Sequence, residues 1–162
     1  LIQSGRKRIA MIAGSLAHFS IQERGRGFHQ ALFEARLLAD PNLEICIDDM
    51  DDVEQGVFDA MHTLLNLSKP PDALFCYNDS AALAAQSYCL DLGLKVPHDI
   101  AIIGFDDISA AAKANPPLSS IRVNKEALGA AGVELLLRKS GEEVLEKILP
   151  VELVIRESSL DD

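Results

Sequence analysis

The sequence predicts an α/β fold: a parallel sheet flanked by helices on both faces. Three observations lead there. Short apolar runs alternate with longer stretches of helical period along the chain. The run 100–103 is continuously apolar, as a strand covered on both sides requires. Polar turns, Tyr77-Asn78-Asp79 and Gly104-Phe105-Asp106-Asp107, follow two of the strands, at the carboxyl edge where open α/β sheets bind ligands.

Residues 8–13 read as the first strand, and 20–38 as a helix with Phe28, Ala31, Leu32 and Ala35 on one face. Strand 43–47 and helix 52–67 repeat the unit. The second helix buries Val53, Val57, Met61, Leu64 and Leu65, and Pro70-Pro71 ends it. Strand 73–77 leads into helix 80–92, stopped by Gly93, and strand 100–103 follows. After Pro116-Pro117 come strand 119–123, a helix presenting Leu128, Ala131, Leu135 and Leu136, and a last strand over 149–155. Ser20-x-x-Glu23 and Asp51-x-x-Glu54 read as capping boxes. They place two helix starts, with Asn78 and Asp106, along one edge of the sheet.

With 162 residues, 48% of them hydrophobic, the chain supports one ordinary domain, or a domain plus a fragment of another. Its net charge of −10 argues against a nucleic-acid surface, which needs clustered cations. The only basic cluster, Arg6-Lys7-Arg8, reads as a solvated approach to the first strand. Cys46, Cys76 and Cys89 lack C-x-x-C spacing and read as reduced core residues of a cytoplasmic protein. No apolar run is long enough to span a bilayer, so no membrane partner is expected.

Arg24 falls in the first turn of its predicted helix, where the dipole disfavours a cation, and four residues before Phe28. A guanidinium fork there binds adjacent hydroxyls, a carboxylate or a purine acceptor edge. The competing reading is an exposed arginine, or one paired with Glu23 or Asp106. The Asp106 carboxylate suits a vicinal diol, and Asp107 suits a cap on a short following helix, unless both acids simply cap or solvate the turn. Asn78 both donates and accepts, which fits a hydroxyl-rich ligand or, equally, a helix cap shared with Asp79 and Ser80.

The run Asp48-Asp49-Met50-Asp51-Asp52 lacks the central glycine and distal glutamate of a calcium loop and reads as an acidic loop. His18, His29, His62 and His98 have no metal spacing, and no serine or cysteine elbow accompanies His18. Ala13-Gly14-Ser15 is too sparse for a phosphate loop. No metal, cofactor or catalytic residue is therefore expected.

The pattern resembles the lactose/galactose repressor (LacI/GalR) family of regulators over almost the whole chain. The resemblance is carried by residues 8–14, Glu23-Arg24-Gly25-Arg26-Gly27-Phe28, and residues 71–79 ending in Tyr77-Asn78-Asp79. It continues through Leu92-Gly93-Leu94-Lys95-Val96-Pro97, Ile103-Gly104-Phe105-Asp106-Asp107, Pro116-Pro117-Leu118-Ser119-Ser120-Ile121 and residues 149–158. It implies a periplasmic-binding-protein-like type I fold with two subdomains hinged around an effector cleft. On that expectation residues 1–122 are the second, carboxyl-terminal subdomain, and 123–147 hold a helix of the mostly missing first subdomain. Residues 148–162 are a return strand and tail.

By motif position, the resemblance implies that Arg24, Asn78 and Asp106 contact effector, with Ser20 and Asp51 as further candidates. An acid at 51, where the family often places an aromatic residue, and Val123 at a position that can be polar are departures from the pattern. Dimer contacts are implied at Ala82, Leu83, Ser109, Ala110 and Lys113. The implied function is effector sensing by a cytoplasmic, homodimeric transcriptional regulator, not an enzyme. Its partners would be a sugar, sugar phosphate or nucleobase, and operator DNA held by a headpiece outside this sequence. Two rivals are a periplasmic sugar-binding protein of a transporter and a metal-dependent enzyme or phosphoacceptor domain using Asp106 and Asp107.

Overall fold

The computed structural model describes residues 1–47, 52–137 and 146–160. Strands and helices alternate as β1 (Ile9–Ala13), α1 (Phe19–Glu34), β2 (Glu44–Cys46), α2 (Val53–Leu65), β3 (Ala73–Cys76), α3 (Asp79–Asp91) and β4 (Ala101–Asp106). Then follow β5 (Ser119–Val123), α4 (Lys125–Leu137) and β6 (Val151–Val154). The strands hydrogen-bond in the order β2-β1-β3-β4-β5-β6. The first five are parallel, with Ile12 beside Cys76 and Phe75 beside Ile103, whereas β6 runs antiparallel to β5. The sheet is thus mixed at its far edge. Because β2 lies on one side of β1 and β3 on the other, the connections diverge there, and a crevice opens at the carboxyl ends of these strands.

Alternation along each strand divides the core in two. Ala10, Ile12, Leu74, Cys76 and Ile102 are buried with Val57, Met61 and Leu64 of α2 and Ala81, Ala85 and Cys89 of α3. On the opposite face Ile9, Ala73 and Ala101 are buried against Leu32 of α1. Phe28 of α1 stacks on Phe75, ring centroids 6.4 Å apart.

Several element ends differ from expectation for identifiable reasons. Helix α1 stops at Glu34, not at Leu38, because Arg36 adopts φ +57. Its N–H bonds Phe33 O at 3.0 Å while Leu37 N–H bonds Leu32 O at 2.9 Å, the paired bonds of a Schellman cap. Gly93, φ +74, ends α3 the same way, through bonds from Gly93 N–H to Leu90 O and Leu94 N–H to Cys89 O, both 2.9 Å. Ser20 is no cap: α1 begins at Phe19 after His18, which makes no side-chain capping bond. The cap of α2 is Asp52, which accepts from Gln55 N–H at 3.0 Å; Asp51 lies outside the described residues.

Burial bears on two further readings. In α4 only Ala131 is buried; Leu128 and Leu136 are 56% and 85% exposed. Ala82 is buried in the chain's own core, with its Cβ against Gly104, while Leu83 is half-buried and Ser109, Ala110 and Lys113 are exposed. The basic run near the amino end is absorbed locally: Arg6 donates to the carbonyls of Pro97 and His98, and the Lys7 and Arg8 amides donate to Asp72.

Of the three cysteines, only Cys46 is exposed, which corrects its placement in the core. Burial pushes the Cys89 thiol up to about 12 and that of Cys76 higher still, so neither forms a thiolate near neutral pH. A thiol-specific reagent is expected to label Cys46 alone in the native protein, and Cys76 and Cys89 only after denaturation. Mass spectrometry of the labelled peptides checks this.

Candidate functional site

Helix α1 carries Arg24 across the carboxyl ends of β3 and β4. The side chain lies in the second turn of α1, not the first, since the helix starts at Phe19. Its Nη1 donates to Tyr77 O at 2.6 Å, and its guanidinium carbon sits 3.9 Å from the Phe105 ring centroid. The hydrogen bond and the cation–π contact fix the fork in the crevice rather than in solvent. Its Nη2 is 3.9 Å from Asp106 Oδ1. Burial lowers the Arg24 pKa, with Asp106 opposing, yet guanidinium remains a cation at any physiological pH.

Asp106 is the last residue of β4, and its φ of +104 turns the chain sharply at the sheet edge. Its carboxylate, 36% exposed, accepts no hydrogen bond from the described residues, and Arg24 is its only ion-pair partner among them. Beside it opens a cleft lined by Asp106, Asp107, Arg122, Val123, Asn124 and Val151. Asn78 caps α3, its Oδ1 accepting from Ala81 N–H at 2.8 Å, and its side chain also hydrogen-bonds the Tyr77 phenol. Ser20 is exposed in the first turn of α1. The structure thus joins Arg24 and Asp106 directly and sets Asn78 immediately after Tyr77, whose carbonyl holds Arg24.

Asp107 does not cap the following turn. It adopts φ +47, and its carboxylate, 8% exposed, accepts from Arg122 Nε and Arg156 Nη2, each at 2.7 Å. The two acids of the turn therefore divide: one is held internally and the other faces the crevice. Burial alone would raise the Asp107 pKa, but hydrogen bonds from Arg156 and Arg122 outweigh it and hold the carboxyl below its usual range. The unfolded state then binds this proton more readily than the native state. The network stabilises the fold above the unfolded carboxylate pKa and is lost as pH falls below about 4. Asp107→Asn is expected to lower stability at pH 7 and to flatten the acid limb of a pH–melting profile; parallel acid limbs would contradict the assignment.

Sequence reasoning missed three contributors. Phe105 is the platform for Arg24. Tyr77 supplies a carbonyl while its ring packs on Gly14, where a Cβ would come within 3.0 Å of the ring. Asp79, read only as a cap, is fully buried and bonded to Ser120 and Ile108. The available signal was the serine pair Ser119-Ser120 opening β5, both of which are buried. Among the described residues, no three His, Cys, Asp or Glu side chains are grouped as for a metal ion, and no helix is long and apolar enough to cross a membrane.

This geometry can be set beside known proteins. The model of the periplasmic binding protein-like domain family matches residues 1–159. The HTH-type transcriptional repressor PurR of Histophilus somni (strain 129Pt) is 39% identical over 163 residues, 98% of this chain and 47% of that protein. The PurR of Aliivibrio salmonicida is 38% identical over 139 residues, 86% of this chain and 41% of that protein. The chain spans about half the length of the curated relatives it matches. Among solved structures, a complex of the transcriptional regulator CelR with cellobiose superposes with TM-score 0.90 at 32% identity, covering 98% of this chain and 49% of that one. The lac repressor dimer bound to operator and the anti-inducer ONPF superposes with TM-score 0.87 at 29% identity, covering 99% and 55%. The chain belongs to the periplasmic binding protein-like domain family, in the form that LacI-type transcriptional regulators carry.

Proposed function

We propose that the chain is the carboxyl-terminal part of an effector-sensing domain and that the Arg24–Asp106 edge binds a small polar molecule. One observation carries the reading. A charged donor fork and a carboxylate that accepts no hydrogen bond from the described residues face each other at the carboxyl ends of β3 and β4, 3.9 Å apart. A ligand offering N–H or O–H groups to Asp106 and an acceptor to Arg24 completes both. Purine bases and sugars each have that chemistry; the PurR relatives favour a nucleobase, and CelR with cellobiose marks the sugar alternative.

In this reading residues 1–122 form one wall of the cleft and 123–147 belong with the opposite subdomain, which accounts for the exposed leucines of α4. The ligand shifts a hinge equilibrium by its differential affinity for two states, and operator DNA is read by a headpiece in a cytoplasmic homodimer. Leu83, Ser109, Ala110 and Lys113 are the remaining dimer candidates on this chain. The enzyme rival is weakened because Asp107 is occupied by two guanidinium groups, so the two acids do not face a common metal or phosphoryl group. A thermal-shift screen of the full-length protein with adenine, hypoxanthine, guanine, ribose, cellobiose and glucose 6-phosphate tests the proposal. Selective stabilisation by one class is expected. No shift from any of them would overturn it.

A further inference from the structure

Asp106 and Asp107 are consecutive non-glycine residues with positive φ, +104 and +47, a conformation that persists only when surrounding bonds impose it. Those bonds converge on Asp79. Its side chain is fully buried at the start of α3, with Oδ2 accepting from Ile108 N–H at 2.8 Å and Oδ1 from Ser120 Oγ at 2.5 Å. The same Ser120 oxygen accepts from Asp107 N–H at 3.0 Å. One carboxylate and one hydroxyl thus take up the backbone donors on the far side of the turn, and α3 and β5 are tied through them to the end of β4. The carboxylate fits because residue 104 is glycine: a Cβ there would overlap Asp79 Oδ1 and stand 3.1 Å from Asp79 Cα.

We infer that Asp79 is a positioning residue for effector binding: it clamps the left-handed 106–107 turn so that the Asp106 carboxylate faces Arg24. The inference rests on the effector-site reading above and adds to it a residue that never touches ligand. A helix cap alone would not serve this purpose, since Asn78 already caps α3. Burial raises the Asp79 pKa against the opposing hydrogen bonds from Ser120 and Ile108, as expected for an acid retained inside the fold.

The test uses the full-length protein, with hypoxanthine and cellobiose as calorimetric probes, and the variants Asp79→Asn and Ser120→Ala made alone and combined with Asp106→Ala. Each clamp variant is expected to weaken binding of the bound probe about tenfold in the wild-type background and under twofold in the Asp106→Ala background. The loss of unfolding stability should be the same in both backgrounds. Hydrogen exchange, which needs no ligand, should quicken at the Asp107 and Ile108 amides in Asp79→Asn and stay slow across β3. Equal weakening in both backgrounds, unchanged affinity while Asp106→Ala alone loses it, or unaltered exchange at 107–108 would overturn the clamp. If Asp106→Ala retains full affinity, the effector-site reading falls and the clamp with it; if neither probe binds, the exchange rates at 107–108 decide the clamp alone. If Asp79→Asn fails to fold, the Ser120→Ala arms decide.

Discussion

Asp106→Ala is expected to weaken binding of the stabilising ligand by about a hundredfold or more while the protein remains folded. The carboxylate offers two oxygens to ligand donors, and a hydrogen bond to a charged group contributes roughly 1.5–3 kcal/mol. Losing two such bonds amounts to at least about 3 kcal/mol, or two decades in the dissociation constant. Folding is little affected because, among the described residues, nothing donates a hydrogen bond to this carboxylate, and its ion pair with Arg24 is long at 3.9 Å. Alanine at φ +104 still costs about 1 kcal/mol. Asp106→Gly separates the two effects, since glycine accepts that backbone without strain. It should bind as poorly as the alanine variant and be at least as stable as the wild type. Isothermal titration paired with urea unfolding reads both.

Gly104→Ala is expected to destabilise the protein by about 3 kcal/mol, at the upper end of what overpacking a core costs. The added methyl would meet the Asp79 carboxylate, Asp79 Cα at 3.1 Å and Ala82 Cβ at 3.2 Å. None of these is the free end of a flexible side chain. Relief requires moving α3 away from β4, which also pulls Asp79 from the 106–108 turn, so ligand binding should fall together with stability. Gly25→Ala in α1 is the contrast. Nothing lies within 4 Å of a Cβ built there, and alanine in place of a helical glycine should add roughly 0.8 kcal/mol. Urea midpoints of the two variants should therefore move in opposite directions.

The sequence made the sheet and its helices readable wherever period and punctuation agreed. Gly93 ended α3 as a helix-stopping glycine should. The end of α1 was hidden because Arg36 occupies the left-handed position, and a charged residue carries no such signal. Helix α4 reads as amphipathic, but a pattern does not say whether the partner for its apolar face is within reach, and Leu136 stands 85% exposed. Strand β4 continues three residues beyond the apolar run, to Asp106, because its last pairs with β5 are made by backbone and owe nothing to hydrophobicity.

The site was legible in part for similar reasons. Arg24 and Asp106 stood out as charges at the edge of an apolar plan, and the structure brings them together. The division of labour between Asp106 and Asp107 was not legible, because it depends on Arg122 and Arg156, distant in sequence and adjacent only through β5 and β6. Asp79 was hidden by its neighbour: an acid directly after an asparagine at a helix start reads as a cap, and only its complete burial shows otherwise.

The most direct test of the account is an NMR titration of the full-length protein with whichever compound stabilises it, following backbone amides together with arginine and asparagine side-chain nitrogens. The largest shifts are expected at the Arg24 guanidinium, the Asn78 amide and the backbone of Asp106 and Asp107. Shifts gathered instead around the hollow lined by His62, Tyr88 and Asp99, with the Arg24–Asp106 edge silent, would contradict it.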